Sequence, residues 1–226
     1  MNKVLLITGG SRGIGAATAH LAAAQGYAIA VNYTRNANAA EAVVRAIQSQ
    51  GGQALAVQAD VADETQVQAM FAQVDAHLGR LTALVNNAGV VDVAARVDTM
   101  DVQRWRRMFD INVIGSMLCA REAVRRMSPR HGGAGGAIVN VSSVAATLGS
   151  PGQYVDYAAS KGAIDTFTLG LGREVAGEGI RVNAVRPGVI DTDIHASGGQ
   201  PERAHQLAPN LPMRRPGTAE EVAQAI

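Results

Sequence analysis

Val4-Leu5-Leu6-Ile7-Thr8-Gly9-Gly10-Ser11-Arg12-Gly13-Ile14-Gly15 opens the chain with a short apolar run that ends in glycines, and Gly13–Gln25 then carry helical spacing. Glycine tolerates positive φ and lets the backbone approach a ligand closely. The free N–H groups at a helix N-terminus favour phosphate charge. A glycine cluster at a strand-to-helix junction therefore points to a dinucleotide site at Gly9, Ser11, Arg12, Gly13, Ile14 and Gly15, although the spacing Gly9-x3-Gly13-x-Gly15 departs from G-x-G-x-x-G. The pattern continues outward. Tyr27–Asn32 is apolar again, and Ala37–Gln50 is Ala-rich with Glu41 and Arg45 at i,i+4. The same reading gives strands at Ala54–Ala59, Ala83–Val85, Ala137–Val141 and Ile180–Val185. It gives helices at Asp63–Leu78, Asp101–Met127 (one long helix) and from about Tyr154 to Ala176. Nearly all-apolar strands alternating with helices predict a doubly wound parallel sheet, α/β/α in three layers, in a single domain over residues 1–226.

Composition narrows the function classes. The chain has 226 residues, 47% hydrophobic, with 20 basic against 19 acidic side chains and a formal charge of +1. Balanced charge argues against nucleic acid or anionic lipid as a partner, and no stretch approaches the ~20 apolar residues of a membrane span. Cys119 stands alone, which excludes an internal disulfide and suits a reducing, cytoplasmic setting. The five histidines are scattered at 20, 77, 131, 195 and 205, so no metal site is expected. The arginines at 104, 106, 107, 121, 125, 126 and 130 have Asp101, Asp110 and Glu122 among them and read as a solvated or subunit-facing helix.

Tyr157 and Lys161 are four residues apart on a helix, so an ammonium can stabilise a phenolate and bring a group that titrates near ~10 toward neutral pH. The chain holds 18 arginines and only two lysines, Lys3 and Lys161. Where the chain otherwise writes positive charge as arginine, it uses a compact ammonium beside this tyrosine. Tyr154 has Ala158 four residues on and no such cation; it is expected to line the substrate pocket or pack on its wall. No Asp or Glu occurs from Met1 to Ala40 to bind a ribose 2′-hydroxyl. The second strand instead ends at Asn32-Tyr33-Thr34-Arg35, and Arg35 with Arg12 suits a 2′-phosphate, predicting NADP(H) over NAD(H). Ser142 and Ser143 both follow the strand Ala137–Val141, at its ligand-facing end.

Thr8-Gly9-x3-Gly13-x-Gly15, Asn86-Asn87-Ala88-Gly89, Asn112, Ser143, Tyr157-Ala158-Ala159-Ser160-Lys161 and Pro187-Gly188 with Thr192 occur in the order of the short-chain dehydrogenase/reductase family, which this chain resembles from Val4 to about Thr192. The resemblance implies a Rossmann fold and hydride transfer between a nicotinamide and a small carbonyl or secondary alcohol. It implies Tyr157 as acid–base group and Lys161 as its cation. Ser143 would polarise the substrate oxygen, with Ser142 as rival, and Asn112 would hold a proton-relay water. The family's serine falls thirteen residues before the tyrosine, at Val144 here; Gln153–Tyr157 reads as one residue longer than usual, which favours Ser143. Ser143, Tyr154 and Tyr157 would meet the substrate. Asp60 and Val61 would flank the adenine, Asn87, Ala88 and Gly89 would border the cofactor, and Pro187, Gly188, Ile190 and Thr192 would hold the nicotinamide. Similar members include sugar (glucose) dehydrogenases and 3-oxoacyl-carrier-protein reductases. A noncatalytic NADP(H) sensor or scaffold is the alternative, though it has no use for Asn, Ser, Tyr and Lys together. Asp191–Arg215 is expected to form a mobile substrate lid. Thr218 and Glu221 form a capping box for a last helix. The resemblance implies a seventh strand beyond Ile226 and a homo-oligomer, dimer or tetramer.

Overall fold

The computed structural model describes residues 3–226 and contains six strands in one parallel sheet of order β3-β2-β1-β4-β5-β6. The strands are β1 (Lys3–Ile7), β2 (Tyr27–Tyr33), β3 (Ala54–Gln58), β4 (Ala83–Asn86), β5 (Gly136–Val141) and β6 (Ile180–Val185). The main helices are α1 (Gly13–Ala24), α2 (Ala37–Ser49), α3 (Glu64–His77), α4 (Val102–Phe109), α5 (Gly115–Met127) and, after the short α6 (Ala145–Leu148), α7 (Val155–Val175). Because side chains alternate across a strand, Val4 and Leu6 enter one core with Phe71, Met70, Cys119 and Ile138, while Leu5 and Ile7 enter another with Ile29, Val43, Ile47 and Val141. Both faces are therefore apolar, which is why the strands read as continuous hydrophobic runs. Each fully buried Leu, Ile, Phe or Met contributes roughly 1.5–3 kcal/mol of transfer free energy.

Strand order reverses between β1 and β4, and a doubly wound sheet opens its ligand crevice there, beyond the C-terminal strand ends. Side-chain caps fix the helix starts: Asn36 accepts from Ala39 N, Asp63 from Gln66 N and Asp101 from Arg104 N. The capping box of Thr218 and Glu221 starts α10 (Ala219–Ala223).

One element differs from expectation. The helix read over Asp101–Met127 begins at Val102 and widens into a π turn over Asp110–Ile114, between α4 and α5. Gly115, the first residue after that turn, packs on Val61; a Cβ there would come within 2.8 Å of Val61 Cγ2. The polar segment after β6 folds into α8 (Ile194–Ser197) and α9 (Arg203–Leu207).

Candidate active site

The two loops at the switch point are stitched together by Thr8 and Asn87. Thr8 Oγ1 accepts from the N–H groups of Asn87 and Ala88, both at 3.0 Å, and Asn87 Nδ2 donates to the carbonyls of Thr8 and Gly9, both at 2.9 Å. Gly9 (φ +60°) and Gly13 (φ +52°) adopt the left-handed backbone that favours glycine. Gly15 is needed for a different reason: a Cβ would lie 2.5 Å from Gly9 O and 2.7 Å from Asn87 Nδ2. The backbone is thereby held in a tight concave turn whose N–H groups can cradle a phosphate.

Arg12 and Arg35 are exposed at this rim, and Tyr33 is half-buried at the end of β2. Arg12 reaches across to α8, where its guanidinium lies 3.8 Å from the Asp193 carboxylate and 3.4 Å from Ser197 Oγ. Thr192 packs over the same loop, since a Cβ on Gly13 would stand 3.4 Å from its Cγ2. Asn32 does not face a ligand. It is 1% exposed; its Oδ1 accepts from Gly9 N and its Nδ2 donates to the carbonyls of Val57 and Ala59, so it braces the glycine loop against β2 and β3. Val61 is likewise turned inward onto Gly115, leaving only its backbone for a ligand, while Asp60 is half-buried and accepts from Ala62 N. Pro187 O accepts from Val144 N, which ties the loop after β6 to the loop after β5; Gly188 is exposed and Ile190 bridges to Gly217.

Beyond β5 the two serines diverge. Ser142 Oγ donates to the Lys161 carbonyl at 3.3 Å and is committed to α7. Ser143 instead lies beside the phenol of Tyr157, and its Oγ accepts from Ala145 N. Burial pushes the Tyr157 phenol above its ordinary value, and the neighbouring Ser143 hydroxyl works in the opposite direction. Lys161 is buried against that ring, with Nζ 5.6 Å from the ring centroid and donating to Val141 O at 2.7 Å. Burial brings the ammonium down to about 8, against the smaller opposing pull of Asp165. Gly89 leaves the space between two of these groups free, since a Cβ would stand 3.5 Å from both Lys161 Nζ and Asn112 Oδ1.

Asn112 sits in the π turn, 1% exposed. Its Oδ1 accepts from Val90 N, and its Nδ2 donates to Val90 O and to Ser160 Oγ. Ser143, Tyr157 and Lys161 thus form one cluster that Asn112 borders through Gly89. Tyr154 is 6% exposed, and the Arg203 guanidinium of α9 lies 5.3 Å from its ring centroid. Thr8 and Ser160 were missed by sequence reasoning. The signal for Thr8 was a hydroxyl at the last position before the glycines; Ser160 carried none apart from lying inside the Tyr-x3-Lys stretch.

The family model for short chain dehydrogenases matches residues 3–203. The chain belongs to the short chain dehydrogenase family. An uncharacterized oxidoreductase of Escherichia coli (strain K12) is 58% identical over 223 residues, 99% of this chain and 90% of that protein. A 3-oxoacyl-[acyl-carrier-protein] reductase of Synechocystis is 38% identical, over 99% of this chain and 87% of that protein. A short chain dehydrogenase from Burkholderia cenocepacia J2315, solved in complex with NADP, superposes with a TM-score of 0.88 at 36% identity, covering 99% of this chain and 88% of that one. Short chain dehydrogenases bind a nicotinamide cofactor and act on small molecules. Among the described residues no helix is long and apolar enough to cross a membrane.

Proposed function

We propose that this short chain dehydrogenase is an NADP(H)-dependent oxidoreductase that interconverts a small carbonyl compound and its secondary alcohol. The observation that carries the reading is the convergence of Ser143, Tyr157 and Lys161 beyond the end of β5, with the left-handed Gly9 and Gly13 turn beside it. That turn is a cradle that a Cβ at Gly15 would fill, and the exposed guanidinium of Arg35 stands at its rim with that of Arg12, which Asp193 and Ser197 hold, so the residues fit a phosphorylated dinucleotide. Arg12 and Arg35 would hold the 2′-phosphate with Tyr33 beside them, and Ser11 with the backbone of Gly13, Ile14 and Gly15 would hold the pyrophosphate. The backbones of Asp60 and Val61 would flank the adenine. Asn87, Ala88, Gly89, Pro187, Gly188, Ile190 and Thr192 would border the nicotinamide side. When bound, the cofactor supplies or accepts the hydride.

The chain's own groups handle the oxygen and the proton. Ser143 Oγ donates a hydrogen bond to the substrate oxygen as negative charge grows on it. Tyr157 Oη delivers its proton to that oxygen, and Lys161 stabilises the phenolate left behind. Asn112 supports a water that returns a proton through Lys161. The similarity to the Synechocystis 3-oxoacyl-[acyl-carrier-protein] reductase makes 3-oxoacyl thioesters the first substrates to test, followed by diketones, sugars and aromatic aldehydes. We also propose a homo-oligomer, supported by the exposed apolar side chains of α4. Tyr157→Phe tests the assignment. Turnover falls by ~10²-fold or more while the Kd for NADPH, measured by fluorescence, stays within a few-fold; near-wild-type turnover would overturn it.

A further inference from the structure

The helix that carries Tyr157 starts without a conventional cap. Tyr154, its N-cap residue, makes no side-chain hydrogen bond to the first turn, so the free N–H groups there need another partner. Asp156 supplies one: its Oδ1 accepts the Tyr157 N–H at 2.9 Å. That carboxylate is in turn gripped by Arg104 of α4, with Nε 2.6 Å from Oδ2 and Nη2 3.2 Å from Oδ1. The third arm of the same guanidinium, Nη1, donates to Val93 O at 2.6 Å, in the loop that follows the Asn86–Gly89 turn. The pair is buried, with side-chain exposures of 10% for Arg104 and 2% for Asp156. On its other side, the Tyr157 carbonyl accepts from Ser160 Oγ at 2.7 Å, and Ser160 is held by Asn112. The backbone of Tyr157 is thus held on both sides of its Cα.

We propose that Arg104 and Asp156 are positioning residues: their ion pair fixes the first turn of α7 against α4 and the Val93 loop, so that the Tyr157 phenol keeps its alignment with Ser143. This rests on the reading of Tyr157 as the proton donor. Neither side chain touches the reacting atoms. A bidentate guanidinium–carboxylate fork is the geometry that sets orientation as well as attraction. Loss of a catalytic group's alignment by ~1 Å costs ~10²-fold in rate. Breaking one half of a buried pair also destabilises the fold, whereas replacing both halves by apolar side chains removes the unpaired charge.

That asymmetry separates positioning from stability. Arg104→Met lowers both the melting temperature and kcat. In Arg104→Met/Asp156→Leu the melting temperature recovers, but kcat stays ~10-fold or more below wild type, with the Kd for NADPH within twofold. The hydrogen exchange of a peptide spanning residues 153–161 is faster than wild type in both variants, with the β1–α1 segment unchanged. Recovery of kcat to within twofold of wild type in the double variant would overturn the proposal and leave the pair a purely structural contact. Unchanged exchange of the 153–161 peptide in both variants would also overturn it. If the wild-type protein with NADPH reduces none of acetoacetyl-coenzyme A, 2,3-butanedione, glucose or benzaldehyde, the proposed function fails by itself. The exchange measurement, which needs no substrate, then decides the positioning role.

Discussion

Lys161 shows how a single residue couples stability to chemistry. Its ordinary value of 10.5 falls to about 8 on burial, so between these limits the unfolded chain binds more protons than the native one and stability rises with pH. Below pH 8 the buried ammonium costs about 3 kcal/mol, a burden that disappears as the pH climbs toward 10.5. Thermal denaturation of the cofactor-free protein should therefore show wild type gaining on Lys161→Met by several degrees between pH 7 and pH 10. A constant difference across that range would show that the ammonium is not desolvated. At the other end of the site, Arg35→Asp should lower kcat/KM for NADPH by ~10-fold or more and leave that for NADH equal or higher, since it replaces a phosphate partner by a like charge. Improved NADPH use would rule out the 2′-phosphate role of Arg35. That Lys161 lies against the Tyr157 ring was legible from residue identity and spacing, but the lowered phenol expected from it was not met: burial holds the phenol above its ordinary value, and the ammonium donates to Val141 O. The inward turn of Asn32 was not legible, because a polar side chain at a strand end can face either the crevice or the neighbouring loop, and only the three-dimensional pairing of β1, β2 and β3 decides.

At the scale of elements, periodicity carried most of the fold. Strands buried on both faces and helices with capping residues announce themselves within a residue or two, as Asp63 before α3 and Thr218 before α10 do. The π turn at Asp110–Ile114 gave no such signal. One extra residue in a helical turn leaves the apolar spacing on either side nearly intact, yet it places Asn112 against Val90 and Ser160. The bend between β1 and α1 was legible as glycines, while the reason for each was not. Gly15 is fixed by contact with Gly9 O and Asn87 Nδ2. Gly15→Ala should accordingly destabilise the protein by roughly 1–3 kcal/mol and weaken NADPH binding, because the backbone of the glycine turn must shift to admit the methyl group. Calorimetry with titration of NADPH checks both effects; wild-type stability and affinity would mean the turn is looser than its geometry indicates.

Across the whole molecule, the sheet brings motifs from six separate segments to one crevice, and the polar segment after β6 folds over its edge through Arg12, Thr192 and Arg203. Val102, Trp105 and Phe109 of α4 and Leu169 of α7 remain exposed, and an apolar face of this kind on a dehydrogenase subunit is expected to be covered by another copy. Light scattering should give a mass that is a dimeric or tetrameric multiple of 23.4 kDa; a 23.4 kDa particle at micromolar concentration would contradict this. The substrate was the least legible feature, because the chemistry-bearing motifs do not specify the side chains that select it. The most direct test of the account is the oxidation of NADPH, followed by its absorbance, against 3-oxoacyl thioesters, diketones, sugars and aromatic aldehydes, with NADH in parallel. The account predicts turnover of at least one carbonyl compound with kcat/KM higher for NADPH than for NADH. Turnover with NADH equal to or better than with NADPH, or no turnover of any carbonyl compound despite tight NADPH binding, would contradict it.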